Sequence, residues 1–241
     1  AYEIYQCDWS SDVCSSDLSG RLIKFRPFLV KEQKNLMMAI EANDKETIER
    51  NVKQVLHNCT LTENIVIESL PVVDVEYYFL QLRARSVGEV VQNKYICNNE
   101  VDGVKCGNRM SVDLNLLDID VTKNDNDDVI QITDKISIKL KYPEFSTMEK
   151  ISEKNNSVDV AFQMISDSVE YIFDGEQYYY ANETPAAELM EFIESLNTEQ
   201  FNKIEKFFEN LPKLNKKVEI KCNKCGYDHS VMVEGLESFF G

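Results

Sequence analysis

Two cysteine pairs stand far apart in the chain: Cys97 and Cys106 in YICNNEVDGVKCG, and Cys222 and Cys225 in IKCNKCG. Each pair follows an alternating apolar segment, ends in a glycine directly after its second cysteine, and runs on into another alternating segment. That layout is half of a zinc ribbon, written twice. Structural zinc takes thiolate or imidazole ligands at tetrahedral corners. A tight turn with two cysteines supplies half the set, and glycine after the second permits the positive backbone angle the turn needs. Neither half closes a site alone. Cys97, Cys106, Cys222 and Cys225 are therefore expected to hold one structural Zn2+ between them, clipping the intervening chain at its base. Such an ion contributes roughly 10–16 kcal/mol in small peptides, comparable to the stability of a whole domain.

Two plainer readings stay open. The thiols could form disulfides, or the first pair could be unrelated to the second, since its gap of eight residues is wider than the usual spacing of about two to four. His229 lies just beyond Cys225, but four cysteines already fill a site, so it is expected to be solvated or hydrogen-bonded.

Residues 1–18 are set aside. CDWSSDVCSSDL, from Cys7 to Leu18, resembles one reading frame of a sequencing-library adapter, and AYEI resembles the primer tail before it. The segment is expected to be non-native and outside the fold. Trp9, Cys7 and Cys14 go with it. The remaining cysteines, four at metal spacing and a lone Cys59, suit a reducing compartment better than a secreted disulfide framework. Cys59 reads as a small buried apolar residue.

With 241 residues, 43% of them hydrophobic, the chain can bury a sizeable core as one large or two small domains. No stretch approaches the roughly 18 apolar residues of a membrane span. A net charge of −16 repels phosphate backbones, and the basic residues cluster only from Arg21 through Lys24, Arg26 and Lys31 to Lys34.

Amphipathic periodicity predicts helices over Lys31–Ala42, after a cap at Asp44, and after Pro71, where Val72, Val75, Phe79 and Leu82 form a stripe widened by Tyr78. Strands are expected before and after each cysteine pair. VIQIT and KISIKLKY should make a hairpin or one bent strand. Val158, Phe162, Ile165, Val169 and Ile172 recur at helical spacing, Tyr178–Tyr180 reads as a packed strand edge, and two further helices follow, the last opened by a capping-box pair, Asn197 and Gln200. TKNDNDD lacks the glycine and closing glutamate of a calcium loop.

The expected fold class is α+β: a mostly helical protein with a split four-cysteine zinc-ribbon-like β element and a β-hairpin. Its expected parts are the adapter-like residues 1–18, a helical region 19–90, the first half-ribbon and hairpin 91–142, a helical insertion 143–215, and the second half-ribbon and tail 216–241. The two histidines, His57 and His229, fall on separate elements, and there is no glycine-rich phosphate loop, nucleophile elbow or HExxH. Four cysteines would also close a metal site to substrate. The chain is expected not to be an enzyme.

RPFLVKEQKNLMMA, LPVVDVEYYFLQLRARSVGE, the split YIC and KCGNRMSVDL, and VEIKCNKCGYDHSVMVEGLESFF together resemble the baseplate hub assembly proteins of T4-type tailed phages. Within that family the first cysteine pair is expected closer together, so NNEVDGVK reads as a lengthened turn. The resemblance implies a role in building the hub of the tail baseplate in the host cytoplasm, as a chaperone that leaves or as a minor component of the virion baseplate. Its partners would be other baseplate hub proteins. Nucleic acid, a membrane and a small-molecule substrate are not expected. The alternative from a different class is a nucleic-acid-binding zinc-ribbon accessory factor, motivated by the half-ribbons and the Arg21–Lys34 segment.

Overall fold

The computed structural model describes residues 13–16, 22–42, 44–122, 127–147 and 157–235. Its central element is the helix α3, Val72–Ser86, which starts directly after Pro71. Proline suits that place because its fixed φ fits and no amide is missed there. The expected stripe is buried through Val75, Tyr78, Phe79 and Leu82, whereas Val72 is half-buried. The opposite face is buried too, through Val73, Leu80 and Ala84. With apolar residues buried on two faces, α3 lies between two cores.

The first core lies on the side of Phe79. It takes Ile23 and Phe25 from β2 (Leu22–Phe25), Leu36 and Ala39 from α1 (Val30–Ala42), and Val52, Leu56 and Cys59 from α2 (Lys45–Cys59). Asp44 caps α2, accepting from the Thr47 amide at 3.1 Å. The Tyr78 ring sits 5.2 Å from that of Phe25, and its hydroxyl is satisfied by Thr60 Oγ1 at 2.8 Å. Cys59 is fully buried, and burial pushes its thiol up to about 11, so it packs as an apolar residue. The strand β1, Val13–Ser16, pairs antiparallel with β2. It falls inside the segment that the sequence reading set aside.

The second core, on the side of Leu80, joins α3 to the roots of two hairpins. One is β3 (Val90–Ile96) with β6 (Arg109–Asn115), supplying Val91 and Leu114. The other is β12 (Lys213–Lys221) with β13 (Asp228–Glu234), supplying Leu214 and Val233. A short strand β7, Asp120–Thr122, pairs with the start of β12 and makes a three-stranded sheet.

A third core belongs to the chain between the hairpins. Strands β8 (Val129–Gln131), β9 (Ser137–Leu140), β10 (Val169–Phe173) and β11 (Tyr178–Tyr180) form an antiparallel sheet in the order β11-β10-β9-β8. Helices α4 (Ser157–Ser168), α5 (Ala186–Glu194) and α6 (Thr198–Glu209) cover it with Ile165, Leu189, Ile193, Ile204 and Phe207. The reciprocal capping box of Asn197 and Gln200 opens α6.

One expectation is corrected. Val169 and Ile172 do not continue the helix of Phe162 and Ile165. The chain turns at Ser168 into VEYIF, a run of β-branched and aromatic residues that pairs with β9 and β11. The protein is α+β, and the expectation of a mostly helical make-up is not confirmed: among the described residues helices hold 42% and strands 29%. No helix among the described residues is long and apolar enough to cross a membrane.

Candidate metal centre

Each cysteine pair sits at the tip of its hairpin. β3 delivers Cys97, and the backbone closes around it: the Cys97 amide donates to Asn108 O at 2.8 Å and the Gly107 amide to Cys97 O at 3.1 Å. The second tip repeats this, with the Cys222 amide on Tyr227 O at 2.8 Å and the Gly226 amide on Cys222 O at 2.9 Å. Both glycines take the positive φ their position predicts, 62° at Gly107 and 73° at Gly226.

The wide gap in the first pair is a hairpin on a hairpin. Strands β4 (Glu100–Val101) and β5 (Val104–Lys105) pair across Asp102 and Gly103, at φ 53° and 78°. Asp-Gly with both φ positive is the favoured two-residue turn for such a ribbon. The Cys106 amide donates to Asn99 O at 2.8 Å, fastening its base. The insertion therefore extends outward and leaves Cys97 beside Cys106.

All four cysteines predicted as ligands come together. Their sulfurs lie within 4.8 Å of one another, a group that could hold a metal ion. Cys97 Sγ is 3.6 Å from Cys225 Sγ, and Cys106 Sγ is 3.9 Å from Cys222 Sγ. These contacts are too long for disulfides, whose sulfurs sit about 2.05 Å apart. They match the edge of a tetrahedron of sulfurs each about 2.3 Å from a central zinc, which is about 3.8 Å. Cys97, Cys106 and Cys222 are buried and Cys225 is half-buried, among Met110, Ile220 and the flanking strands. The donor set and its spacing thus fit a closed four-thiolate site.

Polar groups around the sulfurs reach from one hairpin to the other. Asn99 Nδ2 donates to Cys225 Sγ at 3.7 Å, and Asn108 Nδ2 to Cys222 Sγ at 3.5 Å. In the reverse direction, Lys224 Nζ donates to Cys106 O at 3.0 Å. His229 Nε2 lies 3.1 Å from Cys97 Sγ with its ring against Tyr227, so it is a hydrogen-bonded histidine as expected. The backbone amides of Cys225 and Lys224, with the Asn108 amide, lower the Cys222 thiol to about 6. The Tyr227 amide and Asn99 lower Cys225 likewise. Desolvation pushes Cys97 the other way, up to about 12. Asn99, Asn108 and Lys224 were not legible as site residues, because an amide or a lysine beside a turn carries no spacing signal.

Of the basic residues in the Arg21–Lys34 segment, Arg21 lies outside the described residues, Lys24, Lys31 and Lys34 are exposed on β2 and α1, and Arg26 is half-buried. Arg26 makes a two-pronged pair with Glu32, at 2.9 and 3.1 Å, which leaves it unavailable for a phosphate backbone.

A family model described as T4 bacteriophage base plate protein matches residues 11–241, beginning inside the adapter-like segment and covering both cysteine hairpins. The chain is 26% identical over 224 residues to the baseplate hub assembly protein gp26 of Enterobacteria phage T4, an alignment spanning 92% of this chain and 94% of that protein. No solved structure matches. The chain belongs to the T4 bacteriophage base plate protein family.

Proposed function

We propose that the chain is an assembly factor for the hub of a phage tail baseplate, held in shape by one structural zinc ion on Cys97, Cys106, Cys222 and Cys225. The likeness to a baseplate hub assembly protein along nearly the whole of both chains supports the role. The observation that carries the zinc is the meeting of four sulfurs within 4.8 Å at the tips of two hairpins. Bound there, zinc would supply no open position for a substrate, since four thiolates complete its shell. Its work would be mechanical. It would fix the tips as the core under α3 fixes the roots, so that the chain between the hairpins leaves and returns at one place.

The partners on this reading are other baseplate hub proteins, met in the host cytoplasm during assembly and, if the chain stays, in the virion baseplate. Co-expression with tail proteins encoded by the same phage tests the role. The expected result is a soluble hub complex whose yield depends on this chain. Hub proteins that assemble equally well without it would contradict the reading.

A further inference from the structure

A cavity of about 220 Å3 opens where α3, the Tyr142–Pro143 link, α4 and the entry to β12 meet. Its wall is apolar, formed chiefly by Pro71, Val73, Tyr142, Met164 and Pro212, with Glu76 and Lys213 as its charged groups. Glu76 projects from α3 and is partly buried, and among the described residues its carboxyl has no hydrogen-bond or ion-pair partner. Lys213 shares the wall without pairing to it. The remaining titratable group is Tyr142, whose phenol burial pushes up, with Asp128 and Asp74 acting on it in the same direction. Desolvation alone pushes Glu76 up to about 7. A carboxylate without a counter-charge in an apolar wall is costly, and an entering cation removes that cost.

We propose that this cavity is an anchor pocket for a lysine or arginine side chain of a partner protein. The aliphatic stem would lie against the prolines and Met164, and the cationic head would meet Glu76. Long basic side chains bury their stems while keeping the charge paired, and this wall offers both environments. The net charge of −16 favours a basic partner and repels a second copy of the chain. The proposal deepens the assembly reading by naming what a partner brings, and rests on it only for the choice of a protein as the source.

The test uses the full zinc-loaded chain and three probes, n-butylguanidinium, n-butylammonium and neutral n-butanol, followed by nuclear magnetic resonance. Both cations should shift the Met164 methyl and Tyr142 ring signals and lower the Glu76 titration midpoint by about one unit or more. Glu76→Gln should weaken cation binding at least about 10-fold while leaving any effect of n-butanol unchanged. Equal shifts with n-butanol, or cation binding indifferent to Glu76→Gln, would overturn the proposal. So would a Glu76 midpoint that rises in Lys213→Met before any probe is added, because Lys213 would then be the cation of the pocket. These outcomes are independent of co-expression with tail proteins, so the pocket and the assembly role can fail separately.

Discussion

Cys97 Sγ and Cys225 Sγ meet at 3.6 Å although 128 positions separate them in the chain. Contacts of such long range are expensive to form, because a large loop must close before anything is gained. The chain closes this loop twice, once through the apolar roots under α3 and once at the sulfur tips.

Removing the tip closure should therefore loosen both hairpins at once. Strong chelation is expected to strip hydrogen-exchange protection from β3, β6, β12 and β13 together, and Cys222→Ser should reproduce this with a melting temperature lower by about 10 °C or more. Protection lost from only one hairpin would show that the pairs do not share an ion.

Asn108→Ala should weaken zinc binding by about 10-fold, read by competition with a chromophoric chelator, and by linkage lower the stability of the zinc-loaded fold by only about 1.4 kcal/mol, far less than Cys222→Ser. The expectation rests on its bond to Cys222 Sγ at 3.5 Å, which helps to hold the thiolate. An unchanged affinity would make that amide a bystander.

Glu32 is 3% exposed and lies against Arg26 and the Leu29 amide. The hydrogen bond from Arg26, set against the cost of burial, holds its carboxyl below the ordinary carboxylate value. A depressed folded value means that its stabilisation is complete above the unfolded pKa and is lost as pH falls through the folded one. Arg26→Ala should cost about 2–4 kcal/mol at neutral pH, less than for a fully enclosed pair because the arginine is partly exposed. The deficit should shrink on acidification, which denaturant titrations at several pH values would reveal.

Phe79 and Leu80 are neighbours on α3 that point into different cores. Phe79→Ala should cost about 3–5 kcal/mol and Leu80→Ala about 2–5 kcal/mol. Hydrogen exchange should separate them, with the first weakening α1 and α2 and the second weakening the roots of the cysteine hairpins. Identical protection patterns would mean that the two cores unfold as one unit.

Local signals in the sequence located the chemistry better than they located the packing. A cysteine turn announces itself by glycine and spacing, and a helix start by Asp44 or by Asn197 with Gln200, since each depends on a few adjacent residues. The second buried face of α3 was hidden because Val73, Leu80 and Ala84 blur a stripe rather than form one. The switch from α4 to β10 was hidden because Phe162, Ile165, Val169 and Ile172 also satisfy helical spacing, and only pairing with β9 and β11 decides against it. The pairing of β7 with β12 and the reach of Asn99 and Asn108 across to the opposite hairpin are long-range facts that no short window contains.

Zinc-edge X-ray absorption on the loaded protein tests the central claim most directly. One zinc per chain surrounded by four sulfurs at about 2.3 Å is the predicted result. A shell containing nitrogen or oxygen in place of any sulfur, or no zinc retained by the intact chain, would contradict it.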